Sequence, residues 1–583
     1  MSESYKNKIL FDNLINRLQL NEETGNFDLL GVITKDERNA LIAAQNLLKS
    51  EDYKVSDTTS STPNLTSTPS KSEHENPKDD LAEVVADVKK EQNDIVEDII
   101  TSKGLETLLD TSVIYPKEFN SNVKLGLDFG TAYSKACMLH TLDGEEKILD
   151  LPLGIYAGED SLEMPVHSSL FIDPDGRLYF GPIAVEKSLE ARTNGHDVSR
   201  IDSIKSFLIE ENRVTIDDSP LPSIYNPTNV EVSKAALLVF YLGYLLHLVR
   251  EIANENHGIN IDEVQRRVSL PCYEPHHREK VVKEISKLFT LGDILGKSFK
   301  DEWESGFRLQ DVAYLYDWMR KNINKNSPHI ESFLEEPLAV AGSRLGLNDK
   351  SKGNAFMVVD IGAGTSDFAM FEIMANAQTG YVDAREIKGS GYGVPIAGDK
   401  LDSILLAYIL KNSDISRESP DYKEALTSLR LDIRDYKERL FKHKKLTYSL
   451  PGGLTGQLTL NAFIEENSVK EFSSELRNAI IHVLSSIHPS WIKTKIERKN
   501  KSGKLPIILT GGGATLPMVK SLLKGSIDVD GHHIFTHIAP SVPKWITDEY
   551  EGEIIDLYPQ MAVSIGGGKQ FIINGSEIKD EYA

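Results

Sequence analysis

Three glycine-rich turns, each directly after a short apolar stretch, constrain this 583-residue chain more than any other feature. The first two contain an Asp and read Gly126-Leu-Asp-Phe-Gly-Thr-Ala-Tyr-Ser134 and Val359-Asp-Ile-Gly-Ala-Gly-Thr-Ser-Asp367. The third reads Ile507-Ile-Leu-Thr-Gly-Gly-Gly-Ala514. Each pattern is typical of a β-strand that runs into a tight turn. The sequence therefore predicts three strand ends that carry accessible backbone amides.

Such turns suit a phosphate ligand. Backbone N–H groups of Gly and Thr can surround a phosphate, because no large side chain blocks the approach. Asp128 and Asp360, at the ends of the first two strands, can hold Mg²⁺ through water. One such loop is a weak signal, but two in order with a third glycine turn indicate a two-lobed nucleotide clamp. A Gly-x-x-x-x-Gly-Lys-[Ser/Thr] loop does not occur, which excludes a P-loop NTPase.

Composition indicates a soluble cytoplasmic protein. The hydrophobic and charged contents, 40% and 26%, are ordinary for a globular chain. We find no apolar run long enough to cross a bilayer and no secretory signal at the N-terminus. Only two cysteines occur, Cys137 and Cys272, which suits a reducing compartment. The net charge of −23 argues against nucleic acid or an anionic membrane as a partner.

The N-terminal part divides into three segments. The spacing of apolar residues predicts a small helical unit over residues 1–50, because leucines such as Leu10, Leu14 and Leu18 share one helix face. Residues 51–78 are rich in Ser, Thr and Pro and read as a flexible linker. An apolar stripe in an acidic segment predicts an amphipathic helix followed by a connector over residues 79–121. This helix either packs on the main domain or docks a partner, and we expect the main domain to fold without residues 1–118.

From Val123 onward, predicted strands and helices alternate, which is the pattern of an α/β protein. The predicted strands are Val123–Leu127, Arg267–Leu270, Ala355–Val359, Pro506–Leu509, Leu446–Leu450 and Gln457–Leu460. The predicted helices are Lys234–Glu255, Glu274–Leu288, Pro337–Leu345, Lys400–Leu410, Ala425–Lys442, Glu471–Leu484 and Pro517–Leu523. Pro or Gly bounds several of them, as expected at element ends.

Taken in order, the motifs resemble the actin/hexokinase/Hsp70 ATPase superfamily and, within it, the Hsp70 nucleotide-binding domain. The resemblance covers about residues 123–573. The segments that carry it are Gly126–Ser134 (first phosphate loop), Ile201–Lys205, Val268–Tyr273, Glu335–Ala341, Val358–Asp367 (second phosphate loop), Leu509–Pro517 (adenosine loop) and Gln560–Gly566 (closing helix).

The resemblance implies a two-lobed actin-like (ribonuclease H-like) α/β fold with a small helical N-terminal region. The first lobe would span 122–345, with an insertion near 291–327. The second lobe would span 346–575 and send its closing helix back to the first, and residues 576–583 would form a tail. The chain stops soon after the closing helix, so we expect no peptide-binding domain.

The resemblance also implies roles for single residues. Asp128 and Asp360 would hold the Mg²⁺ shell, and Lys205 would neutralise the transferring phosphoryl group. Glu336, Thr365 and Asp367 would place the attacking water, with Asp367 or Glu336 as the base. Contacts to ATP or ADP would come from Gly130, Thr131, Ala132, Tyr133, Gly362, Ala363, Gly364 and Thr365 at the phosphates, and from Gly398, Lys437, Gly511, Gly512 and Gly513 at the adenosine. For Lys205 and Lys437 the alternative is an ordinary surface position.

The chain departs from the family pattern at several positions. Ala132 stands where the family usually has a second Thr, and Ala363 replaces a Gly. The other departures lie on the adenosine side: Arg434 for an acidic ribose contact, Phe441 for a Ser, Thr515 for an Arg and Gln560 for an Asp. We therefore expect this chain to retain more of the family's catalytic residues than of the residues that contact the adenine base.

The function that this pattern predicts is a slow Mg-ATPase that acts as a nucleotide-gated switch or chaperone-like partner protein. A protein partner would bind the N-terminal helical region or the 291–327 insertion, whose aromatic residues could equally be core. The alternatives are an actin-like filament-forming ATPase, a sugar or carboxylate kinase, and a nucleotide-binding scaffold with degenerate catalysis. Pelleting with ATP would reveal the filament, and phosphate release without an added acceptor would exclude the kinase.

Overall fold

The computed structural model describes residues 18–20, 27–29 and 102–570, apart from 144, 155–164, 197, 210–219, 274, 347–353, 376–381, 414, 493, 497–502 and 530. Helices alternate with strands that form several mixed sheets, so the predicted α/β class is confirmed. The chain separates into two compact units. The smaller comprises Met1–Thr101 with Ile155–Leu162, and the larger comprises Ser102–Gly154 with Glu163–Ala583.

In the smaller unit, strands β1 (Leu18–Leu20) and β2 (Phe27–Leu29) form an antiparallel pair. The prediction of a helix that includes Leu18 was therefore wrong at this residue. Apolar and polar residues alternate in both segments, which favours strands. The rest of the predicted helical unit, the 51–78 linker and the acidic helix lie outside the described residues.

The strands of the larger unit are β3 (Val123–Asp128), β4 (Tyr133–Leu142), β5 (Glu145–Asp150), β6 (Val166–His167), β7 (Leu170–Ile172), β8 (Arg177–Phe180), β9 (Gln265–Leu270), β10 (Phe307–Arg308), β11 (Ile330–Glu335), β12 (Ala355–Ile361), β13 (Ser366–Ala375), β14 (Val382–Glu386), β15 (Tyr392–Val394), β16 (Lys445–Leu450), β17 (Leu454–Thr459), β18 (Leu505–Thr510), β19 (Gly525–Val529) and β20 (His532–Ile538). All six strands predicted from the sequence are among them.

The α-helices are α1 (Gly181–Thr193), α2 (Ser206–Ile209), α3 (Lys234–His257), α4 (Pro275–Ser298), α5 (Glu302–Ser305), α6 (Leu309–Asn322), α7 (Glu336–Ser343), α8 (Gly398–Lys411), α9 (Pro420–His443), α10 (Leu460–Ile464), α11 (Asn467–Ser485), α12 (Pro489–Ile492), α13 (Pro517–Leu522), α14 (Lys544–Glu549) and α15 (Glu553–Gly568). The seven predicted helices are confirmed. Their ends differ from the predicted ones by a few residues, except that α4 ends ten residues later than predicted.

Two large sheets organise these elements. The first has the strand order β11-β9-β3-β4-β5, in which β11, β9 and β3 are parallel and β4 and β5 antiparallel. The second has the order β14-β13-β12-β18-β20-β19, in which β12, β18 and β20 are parallel and β13 and β14 antiparallel. Both sheets thus contain the same five-strand arrangement. In each, the central strand, β3 or β12, ends in a hairpin turn.

Helix α3 forms the centre of the first hydrophobic core. Ser233 caps its start by accepting a hydrogen bond from the Ala236 N–H, and Gly258 ends it with a left-handed φ of 64°. By length and composition α3 could cross a membrane, with a mean hydropathy of 1.5, so our prediction of no such apolar run was wrong. However, 78% of its most apolar window is buried in the fold, and the core helix of a soluble protein satisfies the same criterion.

The last helix, α15, packs on the first sheet. It contacts β3, β4 and β9 and lies along α7. Glycines make this close packing possible: a Cβ on Gly566 would lie 1.8 Å from the Ala339 carbonyl oxygen, and one on Gly126 would lie 2.0 Å from the Ser564 carbonyl oxygen. Larger residues at these positions would push the helix away from the sheet.

Residues from Ser102 onward belong to the larger unit, so the predicted boundary at 121/122 lies about 20 residues too late. Two short 3₁₀ helices, Leu105–Leu108 and Thr111–Ile114, contact α6 and α4. Val113 is completely buried, and the Lys297 ammonium donates to the Ser112 hydroxyl at 2.8 Å. The sequence of this stretch is mostly polar, which concealed the buried anchor at Val113.

The aromatic residues of the 291–327 insertion are largely core. Trp303 and Phe307 are buried, with ring centroids 4.7 Å apart, and Trp303 also packs edge-on against Phe180. Tyr314, Tyr316 and Trp318 are half-buried against the same core. Of the two interpretations left open by the sequence, packing is the one that the structure supports for these side chains.

Candidate functional site

The three glycine-rich turns meet at one place in the larger unit. A Cβ on Gly364, in the second loop, would lie 2.6 Å from the Thr131 hydroxyl oxygen in the first loop. Gly511, in the third turn, has a φ of +77°, and a Cβ there would lie 2.4 Å from a carboxylate oxygen of Asp360. A side chain at Gly364 would collide with the Thr131 side chain, and one at Gly511 would collide with the Asp360 carboxylate and strain the left-handed backbone. The turns predicted from the sequence therefore converge.

The remaining loop positions are held by local hydrogen bonds. In the first loop, the Ser168 hydroxyl donates to the Gly130 carbonyl and the Ser168 N–H donates to the Ala132 carbonyl, both at 2.8 Å. The Tyr133 ring packs beside His167. In the second loop, the Gly362 N–H donates to the Thr365 carbonyl at 3.0 Å. In the third, Gly512 is exposed and Gly513 is buried against Ile361.

The N-terminus of helix α8 lies against the second loop. The N–H groups of Gly398 and Asp399 donate to the carbonyls of Gly362 and Ala363, at 3.2 and 2.7 Å. Lys437, from α9, donates to the Gly398 carbonyl at 3.1 Å and pairs with Asp402 at 2.8 Å. Its side chain is only 14% exposed, so Lys437 is not an ordinary surface lysine.

Lys205 and Glu336 form a buried ion pair next to these loops. The Lys205 ammonium donates to Glu336 Oε1 at 2.6 Å, and the Lys205 side chain is 3% exposed. This excludes the alternative of a surface lysine. Burial alone would lower the pKa of Lys205, but the carboxylates of Glu336 and Asp128 hold it above its ordinary value. Lys205 therefore keeps its positive charge inside the site.

Asp360 and Asp367 face each other across the hairpin of β12 and β13. Burial raises the pKa of Asp360 well above its ordinary value, and the negative charge of Glu336 adds to this effect. Burial, again with the charge of Glu336, raises the pKa of Asp367 to about 8. Asp367 Oδ1 accepts a hydrogen bond from the Cys272 N–H at 2.6 Å, whereas Oδ2 is buried without a hydrogen-bond partner. The pKa of each carboxyl stays raised although the Lys135 ammonium acts against the rise at Asp360 and the Lys205 ammonium acts against it at Asp367.

These carboxylates fit a divalent cation. Carboxylate oxygens are the ligands that Mg²⁺ prefers, and Mg²⁺ is usually held by one or two of them together with water. Within the described residues, no Lys or Arg forms an ion pair with Asp360 or Asp367. In the same part of the chain, no group of three or more His, Cys, Asp and Glu side chains is arranged to hold a metal by itself.

The raised pKa of Asp367 predicts how the stability of the ligand-free protein depends on pH. An unfolded Asp has a pKa of about 4, so between about pH 4 and pH 8 the folded state binds this proton more tightly. Stability is therefore greatest below the unfolded pKa and falls as pH rises through the folded value. Without metal or nucleotide, we expect the Tm to fall by several degrees more between about pH 5.5 and 8.5 in the wild type than in Asp367→Asn.

The measurement is differential scanning calorimetry at both pH values, in EDTA. The Asp→Asn variant is its own control for all other titrating groups, because only the Asp367 proton is removed. Equal falls in Tm for the two proteins would show that Asp367 does not hold a proton in this pH range.

Two site residues escaped the sequence reasoning. Lys135 lies opposite Asp128 across the first hairpin and pairs with its Oδ2 at 2.9 Å. The signal was present: Lys135 follows Asp128 by the same seven residues by which Asp367 follows Asp360. The other residue is Tyr273, whose hydroxyl is buried without a hydrogen-bond partner and whose pKa burial raises to about 12.

On the expected adenosine side, the substituted residues make contacts within the protein. Arg434 donates to the Asp202 carbonyl at 2.9 Å and to Asp399 Oδ1 at 3.0 Å, so it connects two loops. Phe441 packs against Phe463 in the second core. At Arg434 and Phe441, the side chain that replaces the family residue thus already has partners within the protein.

Comparison with known proteins gave no relative: no model of a known protein family matches the chain, and no curated protein matches its sequence. The geometry of the three turns and of the buried charged residues is therefore the basis on which a function is assigned.

Proposed function

We propose that this chain is an ATPase with a two-lobed, actin-like fold of the Hsp70 type, and that it acts as a nucleotide-gated switch. The observation that carries the proposal is the convergence of the two Asp-containing hairpin turns on the buried Lys205–Glu336 pair. Accessible amides, fixed positive charge and carboxylates for a divalent ion are the groups that phosphoryl transfer needs.

The arrangement of the sheets supports the fold part of the proposal. The same five-strand order occurs in both sheets, which suggests a duplicated lobe, and the loops at equivalent strand ends meet. The hairpin of β16 and β17 after helices α8 and α9 supports the Hsp70 type over a filament-forming actin type.

Lys205 would compensate the negative charge of the transferring phosphoryl group. Its ammonium is buried, stays protonated and is already aligned by Glu336, so it would interact with the transferring phosphoryl group without reorganisation. Asp360 would hold Mg²⁺ through water, and the ion would shield the phosphate oxygens. The amides of the first two loops, with the Thr131 and Thr365 hydroxyls nearby, would orient the phosphate chain.

Asp367 is the best candidate for the base that positions and deprotonates water. Its Oδ2 is free, whereas Glu336 Oε1 accepts a hydrogen bond from Lys205. A pKa of about 8 in the ligand-free site lies near the operating pH, which favours general base catalysis. The Cys272 N–H keeps the carboxylate oriented by holding Oδ1.

The switch part of the proposal draws on contacts between segments of the two sheets. Cys272 follows β9 of the first sheet and donates to Asp367 of the second. Arg192 pairs with Asp432 of α9 at 3.0 Å, and Arg434 donates to the Asp202 carbonyl at 2.9 Å. ATP bound between these segments would change the distance between them, and hydrolysis of ATP would reverse that change. A protein partner, bound through the N-terminal region, would read this change in the cytoplasm.

Phosphate release from Mg-ATP by the purified protein tests the proposal. We expect slow release that Lys205→Ala reduces by about 10²-fold or more, because a preorganised positive charge is lost. Lys187→Ala is the matched control, since the Lys187 side chain is 35% exposed on α1 and pairs with Glu190 of the same helix. Circular dichroism shows whether each protein is folded at the assay temperature, because Lys205→Ala leaves Glu336 buried without its partner.

Release that is equal in the wild type and Lys205→Ala would exclude this mechanism. Nucleotide binding without release from either protein would instead favour a nucleotide-binding scaffold.

A further inference from the structure

Two carbonyl groups of the first loop point at one buried serine. The Ser168 hydroxyl donates to the Gly130 carbonyl, and the Ser168 N–H donates to the Ala132 carbonyl, both at 2.8 Å. Ser168 lies between β6 and β7 and is completely buried. One interior residue therefore holds two peptide groups of this loop.

The direction of these carbonyls determines where the loop amides point. In a planar trans peptide, the C=O and the N–H of the same peptide group point in opposite directions. The Gly130 carbonyl shares its peptide group with the Thr131 N–H, and the Ala132 carbonyl shares its own with the Tyr133 N–H. Because both carbonyls point at Ser168, both N–H groups point away from it.

Two further hydroxyl groups lie behind Ser168 and form a buried series with it. The Ser134 and Ser168 hydroxyl oxygens lie 3.1 Å apart, and the Tyr241 hydroxyl donates to the Ser134 hydroxyl oxygen at 3.0 Å. All three side chains are completely buried. Tyr241 belongs to α3, the helix at the centre of the first core. These three residues, here called the hydroxyl cluster, therefore connect the first loop with the core.

The last acceptor fixes the direction of the hydrogen bonds in the hydroxyl cluster. A carbonyl oxygen can only accept, so the single proton of the Ser168 hydroxyl is used at Gly130. Ser134 is then the donor to Ser168, and Tyr241 is the donor to Ser134. Tyr241 makes longer contacts to the Ser168 hydroxyl oxygen, at 3.2 Å, and to the His167 carbonyl oxygen, at 3.3 Å. Burial raises the pKa of Tyr241 to about 12, so this residue keeps the proton that it donates.

We propose that the hydroxyl cluster positions the first loop for phosphate binding. By holding the Gly130 carbonyl toward the interior, it keeps the Thr131 N–H directed toward the phosphate chain of ATP. The three residues are buried and act through the loop backbone, so they are positioning residues. This inference rests on the proposed function, since it concerns the same ligand. Hydrogen bonds in series strengthen one another, so loss of the first donor should be felt at the last acceptor.

Loss of the Ser168 hydroxyl should affect binding more than turnover. Without this donor, the Gly130 peptide group can rotate, and the loop has the binding orientation for only part of the time. The apparent affinity falls by that fraction. Bound ATP should still turn over, because Lys205 and Asp367 lie on other segments. A variant that is merely less well folded would show the reverse, a lower kcat at an unchanged KM.

The experiment combines calorimetric titration with Mg-ATP and steady-state phosphate release, both with the full chain. We expect Ser168→Ala to weaken binding and raise KM about tenfold, with kcat within about threefold of the wild type. Tyr241→Phe keeps the ring in the core and should weaken binding about threefold, as should Ser134→Ala. The double variant of Ser168 and Tyr241 should bind no more weakly than Ser168→Ala alone, because Tyr241 acts through Ser168.

Two matched variants control for the loss of a buried hydroxyl elsewhere. Ser327→Ala removes a hydroxyl that donates to the Val113 carbonyl at 3.1 Å. Tyr558→Phe removes a hydroxyl that lies 2.6 Å from the hydroxyl oxygen of Ser343. Neither variant should change the affinity for Mg-ATP by more than about twofold. Thermal melting shows whether each protein is folded at the assay temperature.

The outcomes separate this inference from the proposed function. Binding of Mg-ATP by folded Ser168→Ala within about twofold of the wild type would overturn the inference and leave the proposed function intact. Single effects that multiply in the double variant, to about thirtyfold, would show that Tyr241 acts independently of Ser168 and would also overturn it. Absence of Mg-ATP binding by the folded wild type would overturn the proposed function, and the inference with it.

Discussion

Replacing Asp367 with Asn should slow ATP turnover by about 10²-fold or more and leave Mg-ATP bound. Asn has nearly the same shape and can still accept the Cys272 hydrogen bond at Oδ1, so the fold is kept. It cannot take a proton from water. The measurements are single-turnover phosphate release and calorimetric binding of Mg-ATP to both proteins.

The pH dependence gives this prediction a second readout. If Asp367 is the base, kcat/KM of the wild type should rise as pH increases toward the pKa of the free site, about 8, because the base must be deprotonated. This rise should be absent in the residual activity of Asp367→Asn. Turnover of the variant within about threefold of the wild type would remove Asp367 from the mechanism. Asp383→Asn, at a buried Asp on neighbouring β14, is the matched control and should change the rate little.

Removing residues 1–118 should destabilise the larger unit, whereas removing residues 1–101 should not. The longer deletion takes away Val113, which is fully buried, and the carbonyl to which the Ser327 hydroxyl donates at 3.1 Å. Loss of one buried Val costs about 1.5–3 kcal/mol, and each lost hydrogen bond about 1 kcal/mol. We therefore expect the longer deletion to lower the free energy of unfolding by about 3 kcal/mol or more.

Urea unfolding of the full chain and of both truncated proteins measures this difference. Val113→Ala in the protein that begins at Ser102 tests whether the buried side chain is responsible, and it should reproduce part of the loss of stability. Equal urea midpoints for the two truncated proteins would show that residues 102–118 do not stabilise the unit, as we first expected from the sequence.

Much of the fold was predictable because its signals are local. The strand before each glycine turn and the helices α3, α9 and α11 follow from apolar runs, spacing of apolar residues and bounding Gly or Pro. Where the sequence pattern was ambiguous, the prediction failed. Leu18 fits a helix face and an alternating strand equally well, and its pairing with Leu29 decided for the strand.

The site was predictable only in part for the same reason. A glycine turn after an Asp is visible in the chain, so Asp128 and Asp360 were found. Lys135 was missed because its importance comes from cross-strand pairing with Asp128, seven residues away. Arg434 was assigned by family position alone, and its partners at Asp202 and Asp399 come from distant parts of the chain.

By itself, the sequence determined the α/β class and the three turns, because backbone freedom at glycine and the spacing of apolar residues act over a few neighbours. The tertiary structure decided which charges meet. Lys205 and Glu336 are 131 residues apart, and only packing of the sheets brings them to 2.6 Å and buries both. Burial in turn raised the pKa of Asp367, because desolvation depends on everything that surrounds a carboxylate and not on its sequence neighbours.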